Sequence, residues 1–402
     1  MFIKKLMKAQ MNCRSVIQFT LTFGEIFSII YKNVHQLQSL MLDNCTKGAS
    51  KMIVLSLFDG ISCGLLALNK SGIKVDMYFA SEIEPNAIKV AQNNNPMIVE
   101  LGDISKISYK NNVLYTPDKS YKVGHIDLIC GGSPCTNFSS IGHANGMSSG
   151  DTEVISLEQY LALKEENVVF DGQSYLFWEY CRLLNEVKPD FFLLENVVMA
   201  KKWENIITNS LGVTPIKINS SLVSAQNRPR LYWTNIKGVQ EPVDKNIVLD
   251  DILCDNADTK DVSYCLTVQR CFPKLILKYG YIPERFNAYN ASELKNKACT
   301  LSRGSMITSS CATLLFVKVE NGVHTVKNGI LNGQYKTHLK DGQYNIRKLN
   351  LTEIERLQNL PDGYTDLPSI SEQKRTEMIG NGWTIDVISH IFSYIGAEEN
   401  GN

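Results

Sequence analysis

The side chains with the most chemical reach in this sequence sit at the ends of apolar runs. Cys135 follows IDLICGG (126–132) across the tight turn Gly132-Ser133-Pro134. A thiol at a strand end, close to the amides that open a helix, becomes a nucleophile once those amides lower its pKa. A single cysteine among eleven is more often an inert small hydrophobe. Packing alone, however, does not call for so constrained a glycine–proline turn. Glu195 closes the run DFFLLE (190–195), and a carboxylate there can share a proton with a bound base. Taken alone it could equally be a strand-edge glutamate reaching water. Arg228 and Arg230 alternate in QNRPR (226–230), ahead of LYWTNI (231–236). In an extended chain the two guanidinium groups share a side and suit a phosphate or a base oxygen; otherwise they form an exposed basic pair.

A second group suits a nucleoside rather than a reaction. FDGISCG (58–64) is a glycine-bearing turn between a strand-like run and a helical pattern. Glycines there let the backbone approach a ligand, and the helix start favours electronegative groups. The turn lacks G-x-G-x-x-G spacing and is a weak signal by itself. Glu82, after the run MYFAS (77–81), is placed to accept hydrogen bonds from ribose hydroxyls. Asp103, after Gly102, could bond an adenine amino group. Either carboxylate in isolation would pass for a solvated one.

These residues need a common scaffold. From 51 to about 236, apolar runs alternate with helical stretches such as 85–94. Near-continuous apolar strands separated by helices predict an α/β, Rossmann-like, mostly parallel sheet with helices on both faces. Ligands of such sheets sit at the carboxyl ends of the strands. Asp59-Gly60, Ser81-Glu82, Gly102-Asp103, Ser133-Pro134-Cys135 and Glu195-Asn196 all fall there, which predicts one shared site. The alternation breaks down from 239 to 345 into Asn- and Lys-rich sequence, read as a smaller, loop-rich second domain. Helical patterns return at 351–360 and 384–395. Four segments follow: an N-terminal extension (1–50), a catalytic domain (51–238), the second domain (239–345) and a C-terminal segment returning to the first (346–402).

Bulk properties exclude several classes. With 402 residues, 44% hydrophobic and 20% charged, the chain has an ordinary globular composition. No window holds eighteen uninterrupted apolar residues, so no membrane span is expected. Lys4, Lys5 and Lys8 precede a semi-apolar stretch (15–30), but Gln18, Thr20, Thr22 and Glu25 interrupt it and no cleavage pattern follows. A secretion signal is therefore not expected, and the eleven cysteines read as free thiols in a reducing compartment. None has zinc-knuckle spacing, so no metal is expected. Net charge is zero but unevenly spread: Lys201 to Lys348 carries 15 Lys, 6 Arg and 12 acidic residues, a net of +9 against −9 elsewhere. A cationic segment on an anionic body suits a polyanion, although surface charge also fluctuates by chance.

Taken in order, these motifs resemble the DNA cytosine-5 methyltransferase family, in wording closest to phage and bacterial members and to the de novo eukaryotic type. VLSLFDGISCGLL, SEIEPNAI and GDISKI are similar to its cofactor segments, and DLICGGSPCTNFS to its nucleophile motif. LLENVV is similar to its Glu-Asn-Val motif and AQNRPRLYW to Gln-x-Arg-x-Arg; RKLNLTEIERLQNLPDGY and MIGNGWTIDVI resemble the last two motifs. The resemblance covers 53–395. It implies the methyltransferase fold, S-adenosylmethionine as cofactor with S-adenosylhomocysteine as product, and double-stranded DNA as partner, with 239–345 as target-recognition domain. It implies that a cytosine is flipped out of the duplex, that Cys135 attacks C6, and that Glu195 protonates or hydrogen-bonds N3. Arg228 and Arg230 would support that site, and Asn196 would orient the loop bearing Glu195. Phe58, Asp59, Gly60, Ile61, Glu82, Ile83, Asp103, Ile104, Pro134, Asn381 and Trp383 would hold the cofactor. A cytoplasmic monomer is implied, serving restriction–modification beside a cognate endonuclease or protecting phage DNA.

The chain departs from the family pattern in places. Thr136-Asn137 follow Cys135 where many members have Gln, about twenty residues between Met147 and Phe170 resemble an insertion, and Gln173 replaces a common Arg. Met52 fits the usual start, leaving 1–50 as an accessory extension or an upstream-start artefact. Two rivals share the chemistry or the fold. A tRNA cytosine-5 methyltransferase would carry PPC and Cys-Phe-Thr, whereas this chain has SPC and Cys271-Phe272-Pro273. A catalytically silent DNA-binding regulator would lack the Cys or the Glu. A thiol hydrolase would need a His paired with Cys135 and leaves the cofactor segments unexplained.

Overall fold

A computed structural model describes residues 52–134, 148–149, 152–170, 173–255, 257, 259–262, 266–301 and 313–395. Cys135 and the extension 1–50 lie outside the described residues.

The first half alternates as its apolar runs require: β1 (Met52–Leu57), α1 (Cys63–Lys70), β2 (Val75–Ser81), α2 (Pro85–Asn94), β3 (Val99–Glu100), β4 (Leu128–Gly131), α3 (Leu157–Glu165), α4 (Leu176–Val187), β5 (Phe191–Val197), α5 (Lys201–Leu211), β6 (Ile216–Asn219) and β7 (Pro229–Thr234). Pro85 fixes the first turn of α2, and Ala87, Val90 and Ala91 form its buried stripe. The strands order as β6-β7-β5-β4-β1-β2-β3. Neighbours pair in parallel from β5 to β3, while β7 runs antiparallel between β5 and β6.

That order determines where a ligand can sit. From β1 the chain proceeds outward through β2 to β3, then returns to the other side of β1 as β4. The topological switch point therefore lies between β1 and β4, and a crevice opens above their carboxyl ends. Right-handed crossovers place α1 and α2 on one face and α4 on the other.

The C-terminal segment closes back onto this half. It comprises α7 (Leu351–Leu357), α8 (Glu372–Asn381) and α9 (Ile385–Phe392). Ile385, Val387, Ile388, Ile391 and Phe392 of α9 join one core with Val54, Tyr78, Leu65 and Leu68. Asp386 anchors α9 by pairing with Lys70 of α1 and with Lys245, the latter at 2.9 Å.

The segment read as irregular is more ordered than that reading. It contains α6 (Leu266–Tyr279) and β8 (Arg285–Asn287), β9 (Ser292–Glu293), β10 (Thr313–Val319), β11 (His324–Lys327), β12 (Ile330–Leu331), β13 (Tyr335–Lys336) and β14 (Gly342–Lys348). These strands form a seven-stranded sheet, β9-β8-β10-β14-β11-β12-β13, antiparallel throughout. Phe272, Leu275, Phe286, Leu314, Phe316 and Ile346 give it a separate core. Asn328-Gly329 turns β11 into β12 with φ of 54° and 70°, both positive as a type I′ hairpin turn requires.

Candidate active site

One rim of the crevice is a strained turn. Phe58, Gly60 and Ser62 all adopt left-handed backbone, with φ of 57°, 61° and 59°, which only glycine adopts without cost. Asp59 holds this turn in place. Its buried carboxylate accepts hydrogen bonds from Ser56 Oγ (2.5 Å), Tyr78 Oη (2.6 Å) and Ser62 Oγ, and its N–H donates to Ser81 O at 3.1 Å. Burial pushes its pKa up to about 6 against the pull of those hydroxyls. Expected among cofactor contacts, Asp59 turns its carboxylate inward and shapes the turn. Ile61 is fully buried beneath it.

Glu82 ties the neighbouring strand end to the same turn. Its Oε2 accepts the Gly60 N–H at 2.8 Å, and its Oε1 accepts those of Ile83 (2.7 Å) and Glu84 (2.8 Å). A carboxylate has about four acceptor positions, so one remains for a hydroxyl. Ile83 beside it is 66% exposed, an apolar surface suited to a planar ring. Asp103 accepts hydrogen bonds from Ser105 N (3.0 Å) and Ser105 Oγ (2.9 Å), capping a short 3-10 turn, Ile104–Lys106, whose Ile104 is buried. Ser81 Oγ donates to Gly102 O at 2.7 Å and joins that turn to β2.

Glu100 escaped the sequence reading. Both its carboxyl oxygens are enclosed without a hydrogen-bond partner. Burial, then the charges of Asp59 and Glu82, pushes its pKa up to about 9. The available signal was a carboxylate at the end of β3, just ahead of Leu101-Gly102-Asp103. Its proton has a consequence for stability. Between about pH 4.5 and 9 the folded protein retains a proton that the unfolded chain releases, so this group's contribution becomes less favourable as pH rises through that window. Glu100→Gln removes the titration. We expect its melting temperature to exceed the parent's at pH 8 by several degrees and to match it near pH 4. An equal shift at both pH values would refute this origin.

The other rim brings the candidate reacting groups together. Glu195 Oε1 pairs with Arg230 Nε at 3.0 Å, and Trp383 Nε1 donates to Glu195 Oε2 at 3.2 Å. The Glu195 and Arg230 side chains are each 12% exposed, sheltered but open to a ligand. Gly132 lies against this group: a Cβ there would come within 2.9 Å of Glu195 Oε2 and 3.0 Å of Trp383 Nε1. A side chain at this position would displace the Glu195 carboxylate. Asn196, 1% exposed, donates from Nδ2 to Ser133 O (3.2 Å) and Ser133 Oγ (3.1 Å). It steadies the Gly132-Ser133-Pro134 turn that leads into Cys135, and its Oδ1 accepts the Val197 N–H at 2.8 Å.

Arg228 ties the site to later parts of the chain. Its buried guanidinium donates from Nη1 to Leu301 O (2.8 Å) and from Nη2 to Gly380 O (3.0 Å) and Gly382 O (3.1 Å). Arg230 meets the Glu195 carboxylate, and Arg228 binds three segments together beside it. Asn381 is exposed at the end of α8, and Pro134 is half-buried. Cys63 and Cys130 have thiols pushed up to about 12 by burial, which keeps them neutral and unreactive.

Among the described residues, one group could gather metal ligands: His125, Asp127 and Asp190, with ligand atoms within 4.8 Å of one another. It lies at the amino ends of β4 and β5, the rim opposite Glu195. His125 Nε2 pairs with Asp190 Oδ2 at 3.0 Å, and Asp127 accepts the Ile53 N–H at 2.5 Å, which ties three strand starts together. No helix among the described residues is long and apolar enough to cross a membrane.

The doubly wound sheet, with β7 inserted antiparallel between β5 and β6, has the S-adenosylmethionine-dependent methyltransferase fold. Solved structures share it: the Entamoeba histolytica methyltransferase EhMeth aligns with a TM-score of 0.56 over 88% of this chain and 100% of its own, at 14% identity. Dnmt2 methyltransferase of S. pombe aligns at 0.51 over 87% of this chain and 100% of its own, at 16% identity. The family model for C-5 cytosine-specific DNA methylases matches residues 52–397, and the chain belongs to that family. Orphan methyltransferase M.SPRI of Bacillus phage SPR is 30% identical over 209 residues, which are 49% of this chain and 39% of that protein. Orphan methyltransferase M.SPBetaI of Bacillus phage SPbeta is 30% identical over 221 residues, 49% and 47% of the two chains. The matches therefore span less than half the length of these relatives.

Proposed function

We propose that this chain methylates C5 of cytosine in duplex DNA, with S-adenosylmethionine as methyl donor. The observation that carries the reading is the Glu195–Arg230–Trp383 group, set against the turn that leads into Cys135 and across the switch point from the Phe58–Ser62 and Glu82 turns.

The donor set fits such a cofactor. Glu82 keeps an acceptor for a ribose hydroxyl, Ile83 offers an apolar surface to adenine, and a Cβ at Gly60 would meet only open space. Phe58, Gly60, Ile61, Glu82, Ile83, Asp103, Ile104, Pro134, Asn381 and Trp383 would hold it, with Asp59 fixing the turn. When bound, the cofactor supplies an electrophilic methyl group on sulfonium. The protein's part is to make C5 nucleophilic. The Cys135 thiolate adds to C6 of a flipped cytosine while Glu195, aligned by Arg230 and Trp383, shares a proton with N3. Electron density then moves to C5, which takes the methyl group. Loss of the C5 proton and cleavage of the Cys135–C6 bond restore the aromatic ring and the thiolate.

The net charge of +9 on 201–348 supports a polyanionic substrate, with the antiparallel sheet reading the duplex in its major groove. The two relatives named orphan methyltransferases favour a stand-alone role, such as protection of phage DNA, over partnership with an endonuclease. We infer a monomer acting in a bacterial or phage-infected cytoplasm.

Incubation with labelled S-adenosylmethionine and either duplex DNA or tRNA tests the reading. Label is expected in DNA at C5 of cytosine. Transfer to tRNA alone would overturn the DNA assignment, and no transfer to either would favour a silent DNA-binding protein.

A further inference from the structure

The insertion between Met147 and Phe170 is not accounted for by that function, yet its helix connects to the cofactor side. Glu179, a fully buried carboxylate of α4, receives the Tyr160 hydroxyl of α3 on Oε1 at 2.5 Å and pairs with Lys164 of α3 on the same oxygen. Arg182 Nε meets its Oε2 at 2.7 Å. Burial opposes ionisation of Glu179, but Arg182, Lys164 and Tyr160 outweigh it and hold the carboxyl below its ordinary range. A buried carboxylate is tolerated only when its partners are complete, so its geometry depends on α3 as well as α4.

Arg182 carries that dependence onward. Its Nη2 donates to Ile104 O (3.1 Å) and Ile107 O (2.8 Å), the carbonyls bracketing the 3-10 turn that Asp103 caps. Its Nη1 bonds Glu186 Oε1 at 2.6 Å, and Glu186 Oε2 accepts the Tyr109 N–H at 2.8 Å, just beyond the same turn. An aromatic ladder runs parallel to this route. Tyr160 lies 5.0 Å from Phe170, which stacks on Tyr175 at 4.9 Å between ring centroids. Burial, then the Asp103 charge, raises the Tyr175 hydroxyl's pKa.

We propose that the insertion helix is a positioning unit for the cofactor: Tyr160 and Lys164, acting through Glu179 and Arg182, set the 102–107 turn and with it cofactor affinity. This rests on the reading that Asp103 and Ile104 meet the cofactor. None of the four residues touches reacting atoms, so the effect belongs in binding, not in chemistry.

The test uses Tyr160→Phe, which keeps the ring and its stacking, and Tyr160→Phe combined with Lys164→Met. S-adenosylhomocysteine affinity is read by calorimetry, and KM for S-adenosylmethionine and kcat are read on duplex DNA. Loss of one ordinary hydrogen bond corresponds to roughly a three- to tenfold weaker Kd and higher KM in the single variant, and more in the double, with kcat at saturating cofactor nearly unchanged. Unchanged Kd and KM in both would overturn the proposal. So would a fall in melting temperature and kcat without a change in affinity, which marks α3 as a structural brace only. Failure of the unmodified chain to bind S-adenosylhomocysteine would instead sink the functional reading on which the proposal rests.

Discussion

Cys135→Ser is expected to abolish methyl transfer to duplex DNA while leaving S-adenosylhomocysteine binding intact. Serine preserves the size of the side chain after the Gly132-Ser133-Pro134 turn but not its reactivity, because a hydroxyl without an adjacent base stays protonated. Nor can another thiol near the crevice take over: Cys63 and Cys130 are buried, with pKa values of about 12. Removing the nucleophile of a covalent mechanism costs on the order of a thousandfold or more in kcat. Transfer of labelled methyl groups, measured at saturating cofactor, decides the point. A variant with full transfer would refute the covalent route, whatever it did to the fold.

Glu195→Gln should cost about 10²–10⁴-fold in kcat, the range supplied by a placed general acid or base. The amide can still accept the Trp383 N–H through its oxygen, and it matches the size of the carboxylate that packs beside Gly132. It cannot share its proton with cytosine N3 as a carboxyl group does. It also leaves Arg230, 3.0 Å from Glu195 and sheltered from water, without its anionic partner. Because these losses arise where cytosine binds, KM for S-adenosylmethionine should move by less than about threefold. A variant whose kcat stayed within about threefold of the parent would remove Glu195 from the chemistry.

How much of this could be read beforehand depended on sequence distance. The strand ends were legible because long apolar runs such as Phe191–Val197 fix both a strand and its terminus, and α2 was legible from Pro85 and its buried stripe. The antiparallel sheet was not. Its strands include runs of two to four residues, and His324–Lys327 alternates buried and exposed positions over a single short stretch, too little to stand out from loop sequence. The Asn328-Gly329 pair was the one strong local signal there, since its backbone needs two positive φ values. Arg228 was legible only in part. It stands just ahead of β7, which begins at Pro229, and its bonds to Leu301, Gly380 and Gly382 reach segments far along the chain that no local pattern encodes. The Trp383–Glu195 contact spans 188 residues, and no local pattern encodes it.

That span, with the 152 residues separating Arg228 from Gly380, has a consequence during synthesis. The sheet and its crevice can assemble while translation continues, since their strands follow one another closely. Glu195 acquires its Trp383 partner, and Arg228 two of its three carbonyls, only after residues 380–383 have emerged from the ribosome. Contacts of such long sequence separation form late. The nascent chain is therefore unarmed until almost all of it has been made, and a messenger cut short before α9 also omits the apolar residues that complete the core of the sheet.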